Sequence, residues 1–158
     1  MIVAIGCDHA GFPLRERAIQ EARNAGHTVI DCGTFDTAPC DYPDIARQVS
    51  ESIITGAAHR GIIVCGSGVG ATVAANKVPG IRAGLCHDTF SARQGVEDDD
   101  MNVLCLGARV IGPEAAAEAI RAFLRAEFSR AERHRRRVDK IRVIELDARN
   151  GVFERRAS

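Results

Sequence analysis

The segment Cys65-Gly66-Ser67-Gly68-Val69-Gly70 sets a thiol, a hydroxyl and three glycines at the end of an apolar run. A thiol has a pKa of about 8.5, and backbone N–H groups at a helix start can lower it toward neutrality, giving a usable base. The same N–H groups bind an anion or steady an oxyanion as charge develops on a carbonyl. The bland reading is a buried, inert thiol beside a glycine-rich turn. The turn is not a Walker loop, because no Gly-Lys-Ser/Thr follows. It is not the dinucleotide fingerprint either, since its glycines fall as GxGxG and follow the third strand-like run rather than the first. A second turn, Gly6-Cys7-Asp8-His9-Ala10-Gly11, ends the first apolar run. Asp8 and His9 project there, and taken alone Asp8 reads as a helix cap. Farther on, Arg133 and Arg137 stand four apart on one helical face. Two guanidiniums on one face suit a phosphate, or else form a solvated stripe. Arg109 is a third candidate of this kind.

The elements that must position these groups alternate. Ile2 to Ile5, Thr28 to Asp31, Gly61 to Cys65, Ile81 to Cys86 and Val103 to Leu106 are short and β-branched or apolar. Between them run amphipathic stretches from Phe12 to Ala25, Tyr42 to Ile54, Val69 to Lys77, Thr89 to Gly95 and Pro113 to Phe128. Pro43 and Pro113 sit near helix starts, and Gly26 fits a helix stop. This alternation predicts an α/β chain, a doubly wound three-layer sandwich with a mostly parallel, about five-stranded Rossmann-like sheet. Ligands in such sheets bind beyond the carboxyl ends of the strands, where both glycine turns fall. The expected division is one domain over residues 1–137 and a helical tail over 138–158. The tail's apolar stripe of Val138, Ile141, Val143, Ile144 and Leu146 suits packing on a partner subunit.

Composition narrows the function classes. The 158 residues make one domain's worth of chain, 46% hydrophobic and with zero formal net charge. Neutrality and 4% aromatic residues argue against nucleic acid and membrane surfaces. No apolar run is long enough to span a bilayer. The opening residues read as a strand rather than a signal peptide. The six cysteines include no CxxC pair, which argues against a zinc knuckle or a redox couple. Cys7, Cys32, Cys40, Cys86 and Cys105 read as structural thiols in a reducing cytoplasm. His27, His59 and His134 read as surface residues.

Several pieces, in order, resemble the ribose-5-phosphate isomerase B and galactose-6-phosphate isomerase family. They are the two glycine turns, Asp41-Tyr42-Pro43, Ala74-Ala75-Asn76-Lys77, Gly80-Ile81-Arg82-Ala83, Asn102-Val103-Leu104, Gly107-Ala108-Arg109-Val110-Ile111-Gly112, and Arg133-His134 with Arg137. The resemblance covers roughly residues 1 to 140. It implies an enediol isomerase of sugar phosphates that uses neither metal nor cofactor. Cys65 would be the base moving a proton between C1 and C2. Relatives that use a glutamate instead carry it where this chain has Ala71. Ser67 and the N–H groups of Gly66, Gly68, Val69 and Gly70 would hold the substrate and the enediolate oxygen. Asp8, Tyr42 and Asp99 would contact the sugar, and His9, Arg109, Arg133 and Arg137 the phosphate. The family's sites lie between subunits, so a homodimer is implied, with pairing into tetramers left open.

One departure stands out. Asp98 and Asp99 occupy places where many relatives carry a ring-opening histidine and an asparagine. Asp98 could open the ring as a carboxylate base. The substrate could instead be linear, as an aldotetrose 4-phosphate is. Or the acidic run Glu97 to Asp100 is a solvated loop and His9 or His87 assists. Ribose 5-phosphate is the first choice of substrate, with a four- or six-carbon phosphate next and a non-catalytic sugar-phosphate-binding module last.

Overall fold

The computed structural model describes residues 1–153. Five strands and six helices alternate through them. Strand β1 spans Ile2–Cys7, α1 Phe12–Asn24, β2 Thr28–Asp31, α2 Tyr42–Ile54, β3 Arg60–Cys65 and α3 Val69–Ala75. Then come β4 at Ala83–Leu85, α4 at Thr89–Asp99, β5 at Val103–Gly107, α5 at Pro113–Arg125 and α6 at Glu132–Arg149. The sheet is wholly parallel, in the order β2-β1-β3-β5-β4.

The central strands are apolar throughout because helices cover both faces. Val3 and Ile5 of β1, Ile62 and Val64 of β3, and Leu104 and Leu106 of β5 pack against α1, α4 and α5. Their neighbours Ala4, Ile63, Cys65, Val103 and Cys105 point the other way, against α2 and α3. This is the doubly wound sandwich that the alternation predicts. After β1 the chain leaves on one face through α1, and after β3 on the other through α3. The crevice between the carboxyl ends of β1 and β3 is therefore the topological switch point of the sheet.

Several boundaries differ from expectation, for local reasons. Helix α4 continues four residues past Gly95. Val96 is buried one turn beyond Ala92, so Glu97, Asp98 and Asp99 form a helical turn rather than a loop. Carboxylates are unfavourable at a helix C-terminus. Arg82 offsets them by pairing with Asp100 at 2.7 Å, and Arg93 pairs with Glu97 at 2.6 Å. Helix α5 ends at Arg125 rather than Phe128, because Arg60 takes the carbonyls of Phe123 and Ala126 at 2.5 and 2.7 Å. Strand β4 has only three residues.

Helix α6 begins at Glu132 and runs through residue 137 into the expected tail. It buries His134 and Val138 near its start. Farther along, Glu145 accepts a hydrogen bond from the Gly80 N–H at 2.8 Å. Ile141, Val143, Ile144 and Leu146 are 43–59% exposed, so the apolar stripe faces outward in the single chain. The end of the expected tail, 154–158, lies outside the described residues. Among those described, no helix is long and apolar enough to cross a membrane.

Candidate active site

A cleft of about 350 Å³ opens at the switch point. Asp8, His9, Tyr42, Cys65, Gly66, Ser67, Gly70 and Arg109 line it, with Ala10. Its walls come from the ends of β1 and β3, the start of α2 and the turn after β5. Eight residues singled out from the sequence thus converge, from four separate stretches of chain.

Cys65 is the last residue of β3 and is 4% exposed. Its Sγ accepts the Gly68 N–H at 3.1 Å. Gly68 can aim that N–H because it sits at φ +83°, a conformation open to glycine. The helix that follows is only seven residues long, so this single directed donor matters more than any helix dipole. Ser67 accepts the Val69 N–H at 3.3 Å and is itself exposed to the cleft. A side chain at Gly70 would place its Cβ 2.7 Å from Tyr42 Cζ, so the bare backbone is what lets the phenol lean over the cleft.

Burial pushes the Cys7 and Cys86 thiols up to about 11 and the Cys105 thiol up to about 12. Burial also raises Cys32. These groups stay neutral at ordinary pH, as structural thiols should.

Asp8 is 6% exposed, and its Oδ1 accepts the Gly11 N–H at 2.8 Å. His9 Nδ1 accepts the Cys40 N–H at 3.2 Å. That bond leaves the Nε2 of the neutral ring as its donor. Arg109 follows β5, tied back through its N–H to the Gly66 carbonyl at 2.9 Å. The cleft therefore offers a thiol, hydroxyl and N–H donors, a carboxylate, and two cationic or N–H groups suited to an anion. Nearby, His87 Nε2 accepts the Gly107 N–H at 2.9 Å. Among the described residues, no three His, Cys, Asp or Glu side chains converge as metal ligands do.

Asp98, Asp99, Arg133 and Arg137 lie elsewhere. Helix α4 runs back along the sheet, so Asp98 and Asp99 stand just before β5 begins. Cys65 pairs with Gly107, where β5 ends. The length of a strand, about 17 Å for five residues, separates the two groups. Arg133 and Arg137 begin α6 at that same far edge. His134, expected at the surface, is 4% exposed, because Asp98 and Ser129 fold against it. Nothing in the run of arginines around it signals this burial, since its partners come from other elements.

The fold and cleft define a class, the α/β enzymes that do proton chemistry on a small anionic substrate at a switch point. Residues 3–141 match the ribose/galactose isomerase family model, and the chain belongs to that family of sugar-phosphate, aldose–ketose isomerases. It is 41% identical over 143 residues to ribose-5-phosphate isomerase B of Escherichia coli, covering 90% of this chain and 95% of that one. It is 44% identical over 127 residues to the D-erythrulose-4-phosphate isomerase of Pectobacterium atrosepticum, covering 80% and 84%. The solved ribose-5-phosphate isomerase B of Clostridium thermocellum superposes with a TM-score of 0.90 at 42% identity, covering 94% and 99%.

Proposed function

We propose that this chain interconverts ribose 5-phosphate and ribulose 5-phosphate, with Cys65 as the base. The observation that carries the reading is Cys65 Sγ at the floor of the cleft, accepting the Gly68 N–H. The Gly68 N–H holds the sulfur in place at the cleft, where a base must stand within reach of the proton it takes. The thiolate takes the C2 proton of the open-chain aldose. The C–H electron pair becomes the C1–C2 double bond, and the carbonyl pair moves onto O1. The Ser67 hydroxyl and the N–H groups of Gly66, Gly68, Val69 and Gly70 hold that oxyanion, and the Ser67 hydroxyl relays the O2 proton to O1. The thiol then returns its proton to C1, which leaves the ketose. Asp8 and Tyr42 hold sugar hydroxyls, and His9 Nε2–H and Arg109 hold the phosphate. Binding energy at the phosphate orients the reacting carbons. No step requires a cofactor.

We infer also that a second copy completes the site in a homodimer. Asp99, Arg133 and Arg137 stand a strand's length from their own chain's cleft, with Asp98 beside them, so they meet substrate only in a neighbouring copy's cleft, the two arginines at its phosphate. The exposed stripe of Ile141, Val143, Ile144 and Leu146 gives that copy an apolar face to bind.

A four-carbon phosphate is the second reading. The relative named for D-erythrulose 4-phosphate and the carboxylate at position 98 favour it. Assay of D-ribose 5-phosphate beside D-erythrose 4-phosphate separates the two. Cys65→Ala should lower turnover of the true substrate by about 10³-fold, within the range of a lost general base. Turnover of neither sugar, or full activity in Cys65→Ala, would sink the mechanism and favour a binding module.

A further inference from the structure

Asp98 faces a buried imidazole. Its Oδ1 lies 3.3 Å from His134 Nδ1, and its Oδ2 accepts from Gln94 Nε2 at 2.7 Å. The same Nδ1 lies 2.7 Å from Ser129 Oγ. On the other side of the ring, Arg133 Nε donates to His134 Nε2 at 3.0 Å.

This geometry fixes a tautomer. A guanidinium can only donate, so Nε2 must be bare and the ring proton must sit on Nδ1. Ser129 alone cannot enforce that, because a hydroxyl donates as readily as it accepts. A carboxylate only accepts, and its negative charge 3.3 Å from Nδ1 favours the tautomer with the proton there, so Asp98 biases the ring toward Nδ1–H. Without it the ring can turn to its other tautomer, and two donors then meet at Nε2 and Arg133 is released. With Nε engaged, the two terminal nitrogens of Arg133 form the fork that grips a phosphate in bidentate fashion. Both Asp98 oxygens are engaged, so the carboxylate has protein partners of its own apart from any sugar.

We infer that Asp98 is a positioning residue: through His134 it aims the Arg133 guanidinium at the substrate's phosphate. The inference rests on the phosphate-anchor role proposed above for Arg133, and it assigns Asp98 a task other than ring opening.

The test compares wild type, Asp98→Ala and Asp98→Asn. Steady-state kinetics use whichever of D-ribose 5-phosphate and D-erythrose 4-phosphate is turned over, and inorganic phosphate serves as competitive inhibitor and as a ligand titrated directly. Asp98→Ala should raise KM and the phosphate Ki together by about tenfold, as loss of one charge-assisted contact does, with kcat within about threefold. Asp98→Asn should restore most of that loss, because its amide oxygen still turns a negative dipole toward Nδ1. Nitrogen-15 spectra should show His134 with its proton on Nδ1 in wild type and Asp98→Asn, and mixed tautomers in Asp98→Ala. A fall in kcat for Asp98→Asn on D-ribose 5-phosphate with phosphate Ki unchanged would make Asp98 a base and overturn the inference. So would an Asp98→Ala protein whose Ki and His134 spectrum match wild type. A wild type that binds phosphate but isomerises neither sugar defeats the isomerase reading alone, and the direct titrations still decide the role of Asp98. A wild type that binds no phosphate defeats both.

Discussion

The two edges of the sheet are built from different materials. At the carboxyl edge the working groups are a thiol, a hydroxyl, backbone N–H donors and glycines that let chain segments touch. A side chain at Gly11 would run into the Val64 carbonyl, and one at Gly107 into the backbone of Ser67. At the amino edge the material is charge: Glu97 to Asp100 closing α4, and the arginines opening α6. On the proposed reading the first edge moves the proton, orients the sugar and holds the phosphate through His9 and Arg109. The second adds further guanidiniums for the phosphate but carries no thiol base. On the proposed homodimer, the difference teaches that the chemistry is divided between ends of the fold that one chain cannot bring together.

Mixing variants would break or confirm that division most directly. Cys65→Ala disables the carboxyl edge, and Arg137→Ala the amino edge. Each protein alone should be nearly inactive on the phosphorylated sugar. After unfolding and refolding together at equal amounts, half the dimers are mixed, and each mixed dimer carries one intact site. Activity should return to about a quarter of wild type, by the statistics of two-fold pairing. Recovery that stays at the sum of the two separate variants would mean that each site is built from one chain.

The thiols sharpen the comparison within the sheet itself. Cys65 and Cys105 point to the same face from neighbouring strands. Of these two, Cys65 alone ends its strand, and there the Gly68 N–H meets it. Cys7, Cys86 and Cys105 have folded pKa values raised by burial from 9.0 to about 11, 11 and 12. Their neutral forms are favoured in the folded state. Stability from them is therefore complete below pH 9 and is lost as pH rises toward 11 to 12. Thermal or denaturant unfolding should be flat from pH 7 to 9 on this account, then weaken by about 1.4 kcal/mol per pH unit for each thiol. A fold equally stable at pH 8 and pH 11 would contradict their burial.

The carboxyl edge was far more legible in the sequence than the amino edge. The glycine turns, the strand-end thiol and Tyr42 beside Pro43 are local patterns, and the rule that ligands sit past strand ends gathers them. Continuous apolar runs at Ile2 to Ile5 and Gly61 to Cys65 likewise reveal a parallel sheet. The order of its strands, with β5 inserted between β3 and β4, depends on crossovers that no local pattern encodes. The amino edge depends on partners distant in sequence. Arg60 stops α5 from 63 residues away, and the contact that buries His134 comes from α4. A histidine inside a run of arginines reads as solvated until those partners are seen. The acidic run reads as a loop because four carboxylates at a helix end are locally unfavourable. Its helical state is held by Val96, Arg82 and Arg93 rather than by its own residues.

That local conflict yields the smallest effect. Asp99 is exposed in the last turn of α4, where the helix carbonyls already carry partial negative charge. Removing its charge relieves the repulsion without removing any partner found for it among the described residues. Asp99→Asn should therefore stabilise the fold by roughly 0.3–1 kcal/mol, read as a small rise in Tm at low salt that fades as salt is added. If the residue also faces substrate in the neighbouring copy's cleft, the same change should alter kcat/KM on D-ribose 5-phosphate relative to D-erythrose 4-phosphate. A gain in stability with a shift in sugar preference means that this carboxylate is kept at a cost to the helix for the sake of the substrate. A gain in stability with kinetics unchanged places Asp99 outside the site and leaves Asp98, Arg133 and Arg137 as the amino edge's whole contribution.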